Sequence, residues 1–94
     1  MSMKKVRKEI DAIDKELVVL LTKRQKWIEK AALVKNDEAL IFDQDRIDQV
    51  LKNVEQLSNE YGLSLKITYP LWKKLIELSI EHEFAELKKI QVKN

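Results

Sequence analysis

Residues 4–35 read KKVRKEIDAIDKELVVLLTKRQKWIEKAALVK. Apolar side chains fall at Val6, Ile10, Ile13, Leu17, Leu20, Leu21, Ile28 and Ala31, the three-and-four spacing of one helix face. Lys, Glu, Asp and Gln fill the positions between them as a solvated face, with Asp11 and Lys15 one turn apart. At 1.5 Å per residue this pattern predicts a helix of about 48 Å, far longer than the mean of about 11–12 residues. The rest of a 94-residue chain is too short to cover such a helix. A partner chain would cover the excess, so an oligomer is expected from this one stretch.

Two more helical patterns follow. Asn36 and Asp37 are stop and turn residues, and the segment 36–42 breaks the first pattern. Asp43 can cap the next helix, with Asp45 in its first turn. The second stripe is Ile47, Val50, Leu51, Val54, Leu57 and Tyr61, and Gly62 ends it. Ser64 can cap the third helix with Pro70 beyond its first turn, or the helix can start near Thr68 with Pro70 at its first position. The expectation is a distorted first turn and a regular helix from Pro70 to about Ile90. Leu71–Ile80 is apolar nearly all round, which predicts burial on several sides. The chain is thus read as one all-α domain over residues 1–94, three helices with a long first one.

Composition agrees. One Gly and one Pro leave too few turn residues for a barrel or sandwich, and the absence of Cys excludes disulfides and thiolate metal sites. It also suits a reducing cytoplasm, the expected location. The N-terminus lacks the apolar stretch of a signal peptide, and no run approaches the roughly 18–20 apolar residues of a membrane span. A net charge of +2 is small for a nucleic-acid binder. No nucleic-acid or membrane partner is expected.

Functional side chains are sought where polar residues interrupt apolar stripes. Arg24 and Lys35 are eleven residues apart, which returns them to the same face about 16 Å apart. Buried cations need anions, supplied either by interhelical salt bridges or by a bound ligand. Arg46 stands at the edge of the second stripe, as a surface charge paired with Asp43 or Asp45 or as part of a site. Ser79 and Glu83 interrupt the third stripe one turn apart, and a buried carboxyl must pair with a cation or be protonated. His82, the sole histidine, has no carboxylate pattern around it and reads as structural or surface. Trp27 and Trp72 read as core or interface anchors. No motif for nucleophilic catalysis, phosphate binding or metal binding is present, so neither cofactor nor metal is expected. Convergent cations in a helical bundle suit a small dicarboxylate.

At this point the chain resembles the all-helical chorismate mutases, a group that includes the isochorismate-pyruvate lyases. The resemblance rests on Arg7, the run IDAIDKEL at 10–17, LLTKR ending at Arg24, Lys35, FDQDR ending at Arg46, YGL at 61–63 and LWKKLIELSIEHE at 71–83. It implies an intertwined homodimer whose long first helices pair, with two active sites built from both chains. It implies rearrangement of chorismate to prephenate in aromatic amino acid biosynthesis, without cofactor. By the resemblance, Arg24 holds one substrate carboxylate and Arg7 of the other chain holds the second. Lys35 donates to the ether oxygen, Arg46 supports the carboxylate end, Asp43 lies near the ring hydroxyl and Ser79 bonds a ring carboxylate. The residue at 83 reaches the ether oxygen opposite Lys35.

Two positions depart from the family pattern. Ile47 stands where a Glu commonly binds the ring hydroxyl, and Glu83 stands where Gln is common. An ionised Glu cannot donate a hydrogen bond, so Glu83 must be protonated to play that part. The short spacing from Lys35 to Arg46 with Ile47 after it is similar to the isochorismate-pyruvate lyases of salicylate synthesis, which makes that elimination the alternative activity. A non-catalytic dimerisation module, with Arg24, Lys35 and Glu83 held in salt bridges, is the competing class.

Overall fold

The computed structural model describes residues 1–93 and contains three helices: α1 (Met3–Lys35), α2 (Gln44–Tyr61) and α3 (Leu65–Lys93). A single 3-10 turn, Glu38–Leu40, lies between α1 and α2. The all-α reading with a long first helix holds, and no strand occurs among the described residues. The caps explain the boundaries. Asn36 ends α1 at φ 45°, a left-handed conformation that Asn tolerates better than most residues. Asp43 accepts a hydrogen bond from the Arg46 backbone N–H at 3.1 Å and so starts α2. Gly62, at φ 83°, closes α2 through its N–H to the Ser58 carbonyl.

The third helix starts earlier than Pro70. It begins after Ser64, whose carbonyl accepts from Ile67 at 2.9 Å and from Thr68 at 3.0 Å, a tightened first turn. Pro70 therefore sits inside the helix and not at its first position. The cost is confined to the Lys66 carbonyl, on an exposed residue where water can serve it. A buried hydroxyl pair holds the early start in place: Ser58 Oγ and Thr68 Oγ1 lie 2.6 Å apart, tying the end of α2 to the first turn of α3.

α3 packs against both other helices. The fully buried cluster is small: Ala32 of α1, Ile41 of the connection and Leu87 of α3, with Ile80 and Phe84 against it. All of it lies near the C-terminal end of α1. From Met3 to Lys23 every residue of α1 is exposed except half-buried Val6. The apolar stripe of that stretch faces outward, with Ile13 55% and Leu20 58% exposed. The expected burial of Leu71–Ile80 on several sides also fails within one chain, because Leu71 and Leu78 stay about half exposed. Trp27 is not in the core; it is exposed, with the Lys30 ammonium 4.1 Å from its ring centre.

The shape follows from the uncovered helix. The molecule measures 57 × 27 × 16 Å, and its radius of gyration of 16.5 Å exceeds the roughly 12 Å of a compact chain this long. It exposes 7763 Å², about 2,100 Å² more than a compact monomer of its mass. Because one small cluster anchors α1 to α3, truncating its centre should be costly. Leu87→Ala is expected to lower unfolding free energy by about 2–5 kcal/mol, read from the urea midpoint.

Candidate active site

A cavity of about 390 Å³ opens directly above this core cluster. Three elements wall it. α1 contributes Arg24, Ile28, Ala31 and Lys35; the connection and α2 contribute Ile41, Asp43, Arg46, Ile47 and Val50; α3 contributes Ile76, Ser79, Ile80 and Glu83. Its volume and its apolar walls with a few convergent polar groups are those of a small-molecule site. The structure thus gathers Arg24, Lys35, Asp43, Arg46, Ile47, Ser79 and Glu83 around one space. Arg7 lies apart, on a separate exposed patch with Lys4, Lys8 and Asp11. It is seventeen residues from Arg24, about 25 Å along the helix and pointing off in another direction.

The cations are held in different ways. The half-buried Arg24 guanidinium donates through Nη1 to Ser79 Oγ at 2.6 Å. The Ser79 hydroxyl in turn donates to the Leu75 carbonyl at 2.7 Å, so its proton is directed into its own helix. Burial, and secondarily the charge of Arg46, push Arg24 below the ordinary arginine pKa. Arg46 does not pair with Asp43 or Asp45; its Nη1 donates to Gln49 Oε1 at 2.6 Å, a neutral partner. Among the described residues neither arginine forms an ion pair. Two mutually repelling guanidiniums, neither of them ion-paired, concentrate positive charge at this end of the cavity, an arrangement a bound anion would relieve.

The other end is internally paired. Lys35 Nζ lies 3.0 Å from Glu83 Oε1, with side-chain exposures of 31% and 6%. The contact has ion-pair distance without hydrogen-bond geometry, and the buried Oε1 has no hydrogen-bond donor. One of the two expected fates of a buried cation, the interhelical salt bridge, is therefore realised at Lys35 and not at Arg24.

One grouping escaped the sequence reading. His82 is not free of carboxylates: its Nε2 lies 3.1 Å from Glu29 Oε2 of α1 and 3.9 Å from Glu86 Oε1 of its own helix. Glu86 was legible at i+4. Glu29 is 53 residues away in sequence, and only the packing of α1 on α3 brings it close.

The family model described as chorismate mutase type II matches residues 6–84, which include every residue around the cavity as well as Arg7. No curated protein and no solved structure matches the chain. Among the described residues, no helix is long and apolar enough to cross a membrane.

The Lys35–Glu83 contact makes a stability prediction. Lys35→Ala strands a buried carboxylate and is expected to cost ~1–3 kcal/mol in urea unfolding. Adding Glu83→Gln removes the stranded charge and should recover most of that loss.

Proposed function

The chain belongs to the chorismate mutase type II family, and from that premise we propose that it rearranges chorismate to prephenate in the cavity between its three helices. The observation that carries the reading is the gathering of Arg24, Lys35 and Arg46 on one cavity, with both arginines lacking a carboxylate partner. A substrate with two carboxylates supplies the missing anions. Arg24, held by Ser79, binds one of them with support from Arg46. Lys35 donates to the ether oxygen, where negative charge grows as the C–O bond breaks. The rearrangement is unimolecular and involves no nucleophile. Catalysis then consists of clamping the reactive conformer and stabilising that charge in a partly desolvated site. Glu83 holds the Lys35 ammonium at this end of the cavity, and Asp43, on the cavity wall, is assigned to the ring hydroxyl by the family resemblance.

The second carboxylate requires Arg7, which its own chain cannot deliver across about 25 Å of rigid helix. We infer that Arg7 comes from the partner chain of a homodimer. The bare apolar stripe of α1 supports this reading. So does the excess surface: about 2,100 Å² hidden on each of two chains falls within the range of obligate dimer interfaces. One observation favours the lyase alternative, namely Ile47 on the cavity wall beside Arg46, which offers no hydrogen bond to a ring hydroxyl. Isochorismate carries that hydroxyl elsewhere on the ring.

The test is side-by-side turnover. Purified protein should consume chorismate, with loss of its ultraviolet absorbance and appearance of prephenate. Far faster release of pyruvate from isochorismate would assign the elimination instead, and no turnover of either would leave a dimerisation module. On the Glu83→Gln background, which leaves no stranded carboxylate at position 83, Lys35→Ala is expected to lower kcat at least ~100-fold. Shared sites have their own signature. Arg7→Ala and the Lys35→Ala/Glu83→Gln chain should each be nearly inactive. Refolded together at equal concentration they should recover about one quarter of the activity of the native protein, because half the dimers are mixed and each has one intact site with native Lys35 and Glu83. No recovery would place Arg7 outside the site.

A further inference from the structure

Glu29, His82 and Glu86 meet on the α1–α3 seam, outside the cavity described above. Their three potential ligand atoms all lie within 4.8 Å of one another. We propose that these three side chains bind a divalent transition-metal ion of the zinc class, which clamps α1 to α3.

Geometry supports a four-coordinate ion with three protein ligands and water. A tetrahedral zinc site with ligand distances near 2.0–2.1 Å has ligand-to-ligand edges of about 3.3 Å. The Glu29–His82 separation of 3.1 Å is already close to that edge. The His82–Glu86 separation of 3.9 Å needs to close by only about 0.6 Å, within reach of side-chain rotation. His82 and Glu86 stand one turn apart on α3 and so share a face, while Glu29 comes from the opposing helix. The side chains are 33%, 22% and 31% exposed, partly sheltered yet open to an entering ion and a water ligand.

Charge and donor type point the same way. Two carboxylates converge on one imidazole, and a dication offsets their mutual repulsion while displacing the proton from Nε2. The imidazole nitrogen selects zinc-like ions over magnesium or calcium, which prefer all-oxygen shells. The competitor is Lys89, whose Nζ is 3.1 Å from Glu86 Oε1. It is a 68% exposed surface partner on the same helix and can swing into solvent. Two inward cations of α1 are engaged elsewhere, Arg24 with Ser79 and Lys35 with Glu83.

The chain has one histidine and no cysteine, which makes the test clean. Untagged protein is titrated with Zn²⁺ against a chromophoric chelator, and its thermal midpoint is followed at the same time. The expected result is one saturable ion per chain. At ~100-fold excess over Kd, the midpoint should rise by ~5 °C or more, whereas Mg²⁺ gives no rise. His82→Gln and Glu29→Gln, each confirmed as folded by circular dichroism, should weaken zinc binding at least ~10-fold. Failure of saturable binding in the native chain overturns the proposal. So does zinc affinity or stabilisation that is unchanged in both variants, since that would be adventitious binding to surface carboxylates. None of these readouts depends on turnover of any substrate.

Discussion

The rest of this structure depends on a helix that its own chain cannot cover. α1 has 33 residues, and only its C-terminal third, from Arg24 onward, is packed. Hydrophobic stabilisation scales with the apolar area removed from water. The stripe from Ile10 to Leu21, about half exposed, adds no buried residue to the core of a single chain. The core of one chain is correspondingly thin, with Ala32, Ile41 and Leu87 at its centre. A second surface laid along the stripe would turn an overhang into an interface, and it would carry the cations at the far end of α1 toward another molecule.

The covered third of α1 supplies that helix's share of the cavity wall, Arg24, Ile28, Ala31 and Lys35. Three cross-helix contacts run along the α1–α3 seam: Arg24 to Ser79, Glu29 to His82 and Lys35 to Glu83. Each joins a polar residue on α1 to one on α3. The seam is therefore both the principal tie of α1 to the bundle and the wall of the cavity. Stability and function are not separable there. Lys35 is offset by a buried carboxylate, whereas Arg24 and Arg46 repel one another without one. That asymmetry gives the cavity one end with uncompensated positive charge and one internally paired end.

Much of this was legible in sequence because helices repeat. A period of 3.6 converts spacing into direction, so the sequence alone puts Arg24 and Lys35 on one face of α1 and Ser79 and Glu83 on one face of α3. Asn36, Asp43 and Gly62 announced their boundaries because each satisfies a backbone demand that few residues meet. Pro70 was ambiguous, since proline is tolerated at a helix start and, at a cost, within the helix. The buried Ser58–Thr68 pair decided for the earlier start, and it joins two helices. Arg46 also turned out differently: its partner is Gln49 on its own helix, not a neighbouring aspartate.

Local physics written into the chain therefore settled the three helices, the ends marked by Asn36, Asp43 and Gly62, the excess length of α1 and the shared face of Arg24 and Lys35. These follow from backbone geometry and side-chain periodicity, which act over a few residues. Tertiary packing alone decided who meets whom across the seam. It paired Lys35 with Glu83, left the two arginines without carboxylate partners among the described residues, and brought Glu29 to His82 across 53 positions of sequence. Such contacts depend on the relative height and rotation of two packed helices, quantities that no single helix encodes.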